Sequence, residues 1–170
     1  MNYARIAEIA GRLQSYAVVG AYALAAHGYI RQTADFDLMT TDLGAFREEL
    51  WDRERADGMR VDVHRGDFED PLAGVVRIRS AGLKLDVVVA KYKWQAAVID
   101  RAKPMKYVDV ELRVPRLSDV ILLKIDAGGH LDLRDAIELL EISPRAGPIA
   151  APPGRFRSEQ LLGLVGVRRP

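Results

Sequence analysis

Cysteine is absent from the chain, which excludes disulfides and thiolate metal sites and suits a reducing compartment. No stretch approaches the roughly 20 apolar residues that a membrane-spanning helix needs. The opening residues, Met1 to Glu8, lack the basic start and long apolar run of a signal peptide. A cytoplasmic protein with no membrane partner is therefore expected. Neither charge sign is in excess: 25 basic and 24 acidic residues leave a net charge of +1. No global field draws such a chain toward nucleic acid, although a local basic patch is compatible with it. Only three histidines are present, His27, His64 and His130, and their spacing suits no zinc site. There is no internal repeat and no coiled-coil heptad pattern.

What is present is 170 residues with a hydrophobic fraction of 49% and a charged fraction of 29%, the composition of a globular domain with one core. Ile6, Ile9, Ala10 and Leu13 recur at helical spacing, so 2–14 is predicted to be an amphipathic helix. Tyr16 to Val19 is a short apolar run ended by Gly20 and reads as a buried strand. The alanine-rich segment 21–28 favours helix and stops at Gly28. Asp35-Phe36-Asp37-Leu38-Met39 alternates acid and apolar residues, as a half-exposed strand does. Leu43, Phe46, Leu50 and Trp51 form a stripe that predicts a helix over 43–55.

The middle third reads as strands at 59–64, 75–79 and 83–90, with a turn at Gly82 between the last two. A helix over 92–102 and a strand over 108–114 follow. A helix then opens near Leu117, with Ser118 as its predicted N-cap, and closes at Gly128-Gly129. A last helix over 131–142 carries Leu133, Ile137 and Leu140 at helical spacing. From Pro144 the composition turns to Pro, Gly and Arg, with one apolar cluster at 161–165. The predicted organisation is a domain over 1–143 and a tail over 144–170 that can dock a short helix. The fold class is α/β (α+β), with helices flanking a mixed, mainly antiparallel sheet.

Three acids carry the chemistry. In a strand, Asp35 and Asp37 point to one face while Phe36 turns into the core. Two carboxylates so close repel each other, and a cation between them relieves the repulsion. Hard oxygen ligands on a rigid strand suit Mg²⁺. The alternative for an isolated D-x-D is a solvated pair at a strand end. Asp86 lies inside the apolar run Leu83 to Val89, where a lone charge is expensive. It needs a partner, either a lysine or arginine or a metal shared with a neighbouring strand. Gly20, between a strand and a helix, offers a turn whose backbone N–H groups suit a phosphate, although one glycine there is also an ordinary tight turn. Basic residues at Arg77, Arg79, Lys84, Lys91, Lys93, Arg101, Lys103 and Lys106 either line a face for an anionic acceptor or are solvated strand-edge charges.

Val19-Gly20-Ala21 through Gly28, followed by Arg31-x-Thr33-x-Asp35-Phe36-Asp37, resembles the first motif of polymerase-β-type nucleotidyltransferases. The likeness is to the AbiEii-like and minimal-nucleotidyltransferase groups, and it extends over about 15–142. Asp86 sits where that family places its third carboxylate. Lys124-Ile125-Asp126-Ala127 and Asp132-Leu133-Arg134-Asp135 resemble its Lys-x-x-Ala and Asp-x-x-Asp motifs. The family's second Gly or Ser is Ala21 here, which keeps a backbone N–H but has no hydroxyl.

The resemblance implies a nucleotidyltransferase fold and transfer of a nucleoside monophosphate from an NTP to a hydroxyl. It implies two Mg²⁺ ions on Asp35, Asp37 and Asp86, and a nucleotide held at Gly20, Ala21, Arg31, Thr33 and Lys124. Lys124 would also serve catalysis by neutralising phosphate charge. The implied acceptors are a tRNA 3′ end, a hydroxyl of a partner protein, or a small molecule. A toxin–antitoxin or phage-defence setting, with a cognate toxin or antitoxin as partner, belongs to the same implication. The alternative function is a catalytically weak relative that acts by binding a partner.

Overall fold

The computed structural model describes residues 2–142, and the expected tail over 144–170 lies outside them. The first helix, α1 (Tyr3–Arg12), is capped by the Asn2 side chain, which accepts from Arg5 N at 3.0 Å. Its buried stripe is Ile6, Ile9 and Ala10. The chain then forms β1 (Ala17–Val19), α2 (Gly20–Ala26) and β2 (Phe36–Thr40). After a short α3 (Asp52–Ala56) come β3 (Arg60–Arg65), β4 (Gly74–Arg79) and β5 (Lys84–Val89). Helix α4 (Lys93–Arg101), the hairpin β6 (Lys103–Tyr107) and β7 (Val110–Val114), and helices α5 (Leu117–Ala127) and α6 (His130–Ile142) complete the described chain.

The main sheet has the order β1-β2-β5-β4-β3. All its pairings are antiparallel except β2 with β5, which is parallel and sets Asp37 opposite Asp86. One face carries Phe36, Leu38, Val76, Ile78, Leu85 and Val87, all fully buried in a core shared with Ile6, Ile9, Leu112 and Ile121. Strand alternation sends the other residues to the opposite face. There Ala17, Val19 and Met39 pack in a smaller cluster with Ile99 and Ala102, while Arg60, Arg77 and Lys84 stay exposed. The site-bearing face is therefore covered beside β1 and β2 and open over β3 and β4.

Three expectations need correction, and one strand was not foreseen. The segment 43–55 is not one helix but two 3₁₀ turns, Leu43–Phe46 and Glu48–Trp51, followed by α3. Arg47 is extended (φ −80°, ψ 124°), and the resulting bend buries both Phe46 and Trp51 while leaving Leu43 65% exposed. Trp51 Nε1 locks the bend by donating to Ala45 O at 2.8 Å. Strand β6 was not expected, because Lys103 to Lys106 are all exposed and show no buried alternation. Ser118 lies inside α5 rather than capping it; the N-cap position is Arg116, without a side-chain cap. In α6 the buried residues are Asp135, Ala136 and Leu139, whereas Ile137 is exposed. The closing turn of α5 is as expected, with Gly128 left-handed at φ 68°.

Candidate active site

Asp37 and Asp86 are register partners on adjacent parallel strands, so their side chains leave the same face of the sheet side by side. Asp35 immediately precedes β2, and its backbone is braced by Thr33. The Thr33 hydroxyl donates to Asp35 O at 3.1 Å and accepts from Asp35 N at 3.3 Å. Between the two aspartates Phe36 is fully buried, with ring centroids of Tyr22, Tyr3 and Tyr107 at 4.3, 6.3 and 6.4 Å. Tyr107 Oη donates to Tyr22 O at 2.7 Å, which ties the hairpin to α2 beneath the site. Burial pushes both Tyr22 and Tyr107 up to about 12, so they stay neutral and act as packing.

Gly20 opens α2 with φ +62°, a left-handed conformation that glycine adopts without strain. A Cβ there would overlap Asp37 Oδ2 and stand 2.8 Å from Asp37 Cγ. The carboxylate thus lies directly against the turn, where a side chain would displace it. Burial first, then the charges of Asp86 and Asp35, raise the Asp37 carboxyl from 3.8 to about 7, while Lys124 and Arg79 act in the opposite sense. Two neighbouring acids and two neighbouring bases therefore meet at this one carboxyl.

Asp86 has arginine partners. Arg79 Nη2 lies 2.5 Å from Asp86 Oδ1, and Arg77 Nε lies 4.0 Å from Asp86 Oδ2. Arg79 Nη1 also donates to Leu85 O at 2.8 Å. The ion pair lacks hydrogen-bond alignment, and Oδ1 is buried without a hydrogen-bond partner. Of the two partners open to Asp86 from sequence, an arginine is thus present. Alternation along β4 placed Arg77 and Arg79 on one face, but nothing in the sequence showed that this face meets Asp86.

Lys124 on α5 is nearly buried and donates to Asp132 Oδ1 at 2.7 Å, with Asp135 Oδ2 at 2.9 Å. Arg31 Nε reaches Asp135 Oδ1 at 3.4 Å, so Arg31 meets α6 rather than the D-x-D. A cleft of about 190 Å³ is lined by Gly20, Lys124 and Asp132 together with the apolar Met39, Leu72 and Val88. Ala21, the residue after Gly20, is buried. A larger concavity of about 490 Å³ borders Tyr3, Gly82 and Val108 and contains none of these carboxylates.

Among the described residues, no three Asp, Glu or His side chains are already arranged to hold a metal ion by themselves. The donor chemistry nonetheless fits a hard divalent cation. Asp37 and Asp86 are adjacent oxygen donors, Asp37 is crowded by like charge, and Asp86 holds a buried oxygen without a directed partner. Such a cation takes its remaining ligands from water and phosphate.

No protein-family model matches the chain, and no curated protein matches it in sequence. Solved structures do match in shape. A candidate nucleotidyltransferase of Thermotoga maritima superposes with a TM-score of 0.56 at 12% identity, covering 82% of this chain and 90% of that one. A nucleotidyltransferase-like antigenic protein of Paracoccidioides brasiliensis gives 0.53 at 15% identity, covering 95% and 82%. The enzyme ANT(2″)-Ia, solved with adenylyl-2″-tobramycin, gives 0.52 at 18% identity, covering 95% and 91%. These likenesses show that the chain has the nucleotidyltransferase fold.

Proposed function

We propose that this protein is a nucleotidyltransferase that moves a nucleoside monophosphate from an NTP to a hydroxyl acceptor. The observation that carries the reading is the Asp37–Asp86 register pair beside the left-handed Gly20 turn. A carboxylate pair in such surroundings is costly unless it holds a cation. The fold shared with nucleotidyltransferase structures supports the same reading. So does the resemblance of Gly20 to Asp37 to the family's first motif.

Asp35, Asp37 and Asp86 would hold Mg²⁺, which supplies charge neutralisation to the triphosphate and acidity to the attacking hydroxyl. Gly20 and Ala21 would offer backbone N–H groups to the phosphates from the turn that opens α2. Lys124 would bring a cation to the same cleft, anchored by Asp132 and Asp135. The apolar wall of Met39, Leu72 and Val88 suits the nucleoside. The acceptor oxygen forms a bond to the α-phosphorus, and the bond from that phosphorus to pyrophosphate breaks. Pyrophosphate leaves with the electron pair, and the hydroxyl proton passes to the carboxylate of Asp86.

The test is titration of the four NTPs with Mg²⁺ into wild type and into the Asp35→Asn/Asp37→Asn double variant. Metal-dependent binding that disappears in the variant is expected. A folded wild type that binds no triphosphate would instead favour the partner-binding alternative, for which the missing hydroxyl at Ala21 is the specific observation.

A further inference from the structure

The run of basic residues from Arg77 to Lys106 is divided by the fold. Lys91 Nζ donates to the carbonyls of Asp67, Phe68 and Asp70, and Arg101 pairs with buried Asp119 at 2.5 Å, so both are structural. Arg79 and Lys84 are instead register partners, and Arg60 on β3 continues their row. Arg77 stands in the next row, between Asp62 and Asp86. Like charges directly opposite one another across strands destabilise a sheet, so a three-cation row is an expense that the fold does not require. Arg60 is offset by Asp62 at 2.8 Å, and Arg79 by Asp86. Lys84 projects its charge into solvent.

We propose that this row, Arg60, Arg79 and Lys84, binds the phosphodiester backbone of a single-stranded polynucleotide whose terminal hydroxyl is the acceptor, with Arg79 shared between Asp86 and that backbone. The inference rests on the proposed function and names its acceptor class. Position is the first argument. The donor cleft reaches Met39 and Val88, two residues past Asp37 and Asp86 along their strands, whereas Lys84 stands two residues before Asp86 and its row runs out across β4 and β3. Donor and acceptor would therefore approach the carboxylate pair from opposite flanks, as in-line transfer requires.

Size is the second argument. Three strands at a spacing of about 4.8 Å place the cations over a strip roughly 10 Å wide, enough for more than one phosphate. Character is the third. Among the described residues, none of the exposed large apolar side chains (Ile30, Leu43, Phe68 and Met105 among them) belongs to this face, so it lacks the anchors of a protein interface. A cationic small acceptor would be repelled. When a cation neutralises the aspartates, Arg77 and Arg79 lose their counter-charge and the strip becomes more positive. The pairing of Arg79 with Asp86 is then the resting position of a phosphate ligand.

The experiment is fluorescence anisotropy of a labelled short single-stranded RNA, in chelator, between about 50 and about 200 mM salt. Three phosphate contacts predict a log–log salt slope near −2, and Arg60→Gln or Lys84→Gln should each reduce it by about 0.7. Both side chains are exposed, so the variants fold. Asp86→Asn, which releases Arg79, should tighten binding at least threefold, while Glu141→Gln, an equal charge change on the exposed end of α6, should not. Wild-type protein that binds NTP but no RNA would overturn the inference while leaving the transferase reading intact. So would a salt slope indifferent to Arg60 and Lys84. Displacement of the RNA by inorganic triphosphate, with triphosphate affinity itself dependent on Arg60 and Lys84, would assign the strip to the donor and overturn it equally.

Discussion

Gly20 and Asp37 exclude any side chain from the space between them: the carboxylate of Asp37 lies where a Cβ of residue 20 would be. The left-handed turn and the strand aspartate therefore form one unit, and neither can change without moving the other. Gly20→Ala should lower stability by about 1–3 kcal/mol, from the cost of φ +62° and displacement of the carboxylate. It should also weaken metal-dependent triphosphate binding by at least tenfold. Gly82→Ala, where a Cβ meets open space, should change the melting temperature little. Thermal melts and calorimetric titration of the two variants check this.

The carboxyl of Asp37 gives a defined pH dependence. Its value rises from 3.8 in the unfolded chain to about 7 in the fold, so the folded state holds the proton more tightly. The contribution to stability is fully present below pH 3.8 and is lost as pH rises through about 7. A shift of this size corresponds to up to about 4 kcal/mol. Metal-free protein should thus lose stability between pH 4 and 8 through this group, and Asp37→Asn should flatten that part of the curve. Divalent-cation binding near pH 7 should release protons, seen as a calorimetric heat that varies with the buffer's ionisation enthalpy.

Phe36 sets the rigidity of the D-x-D. Its ring is fully buried against three tyrosines, so Phe36→Ala should cost about 3–5 kcal/mol. Phe36→Leu retains most of the apolar volume and should cost less, while still loosening the positions of Asp35 and Asp37. Urea denaturation gives the first effect, and a rise in the triphosphate dissociation constant of the leucine variant gives the second.

Lys124 joins α5 to α6 through Asp132 and Asp135, and Asp135 is only 1% exposed. Lys124→Met removes a cation and leaves a buried carboxylate with Arg31 as its remaining partner at 3.4 Å. A loss of about 3 kcal/mol is expected. The double variant Lys124→Met/Asp135→Asn should recover part of that stability without recovering triphosphate affinity. Recovery of both would make Lys124 a purely structural residue.

Most of the architecture was legible because its signals are local. The stripe of Ile6, Ile9 and Ala10, the alternation through β4 and the glycine after α5 each act over a few residues. The segment 43–55 misled because a helical stripe and two 3₁₀ turns can both bury Phe46 and Trp51; the bend at Arg47 decides between them. Strand β6 had no buried alternation to reveal it. At the site, the convergence of Asp35 with Asp37 was an expectation from strand periodicity, although Asp35 stands just before β2, whereas the meeting of Asp86 with Asp37 and Arg79 depends on strand order and register. Those are properties of the whole sheet, and no local pattern encodes them. The same limit hid the attachment of Lys124 and Arg31 to Asp135.

The parallel pairing of β2 with β5 also orders the birth of the site in time. Residues 41–83, which include β3 and β4, must be made before Asp86 can reach Asp37. Contacts of such sequence separation form late and slowly, because the loop must close before the pairing rewards it. A growing chain that has released only its first half therefore carries the D-x-D without its partner strand. The centre is complete only after β5 has docked and α5 has brought Lys124 to the cleft, so a chain that stops short of them would be inert.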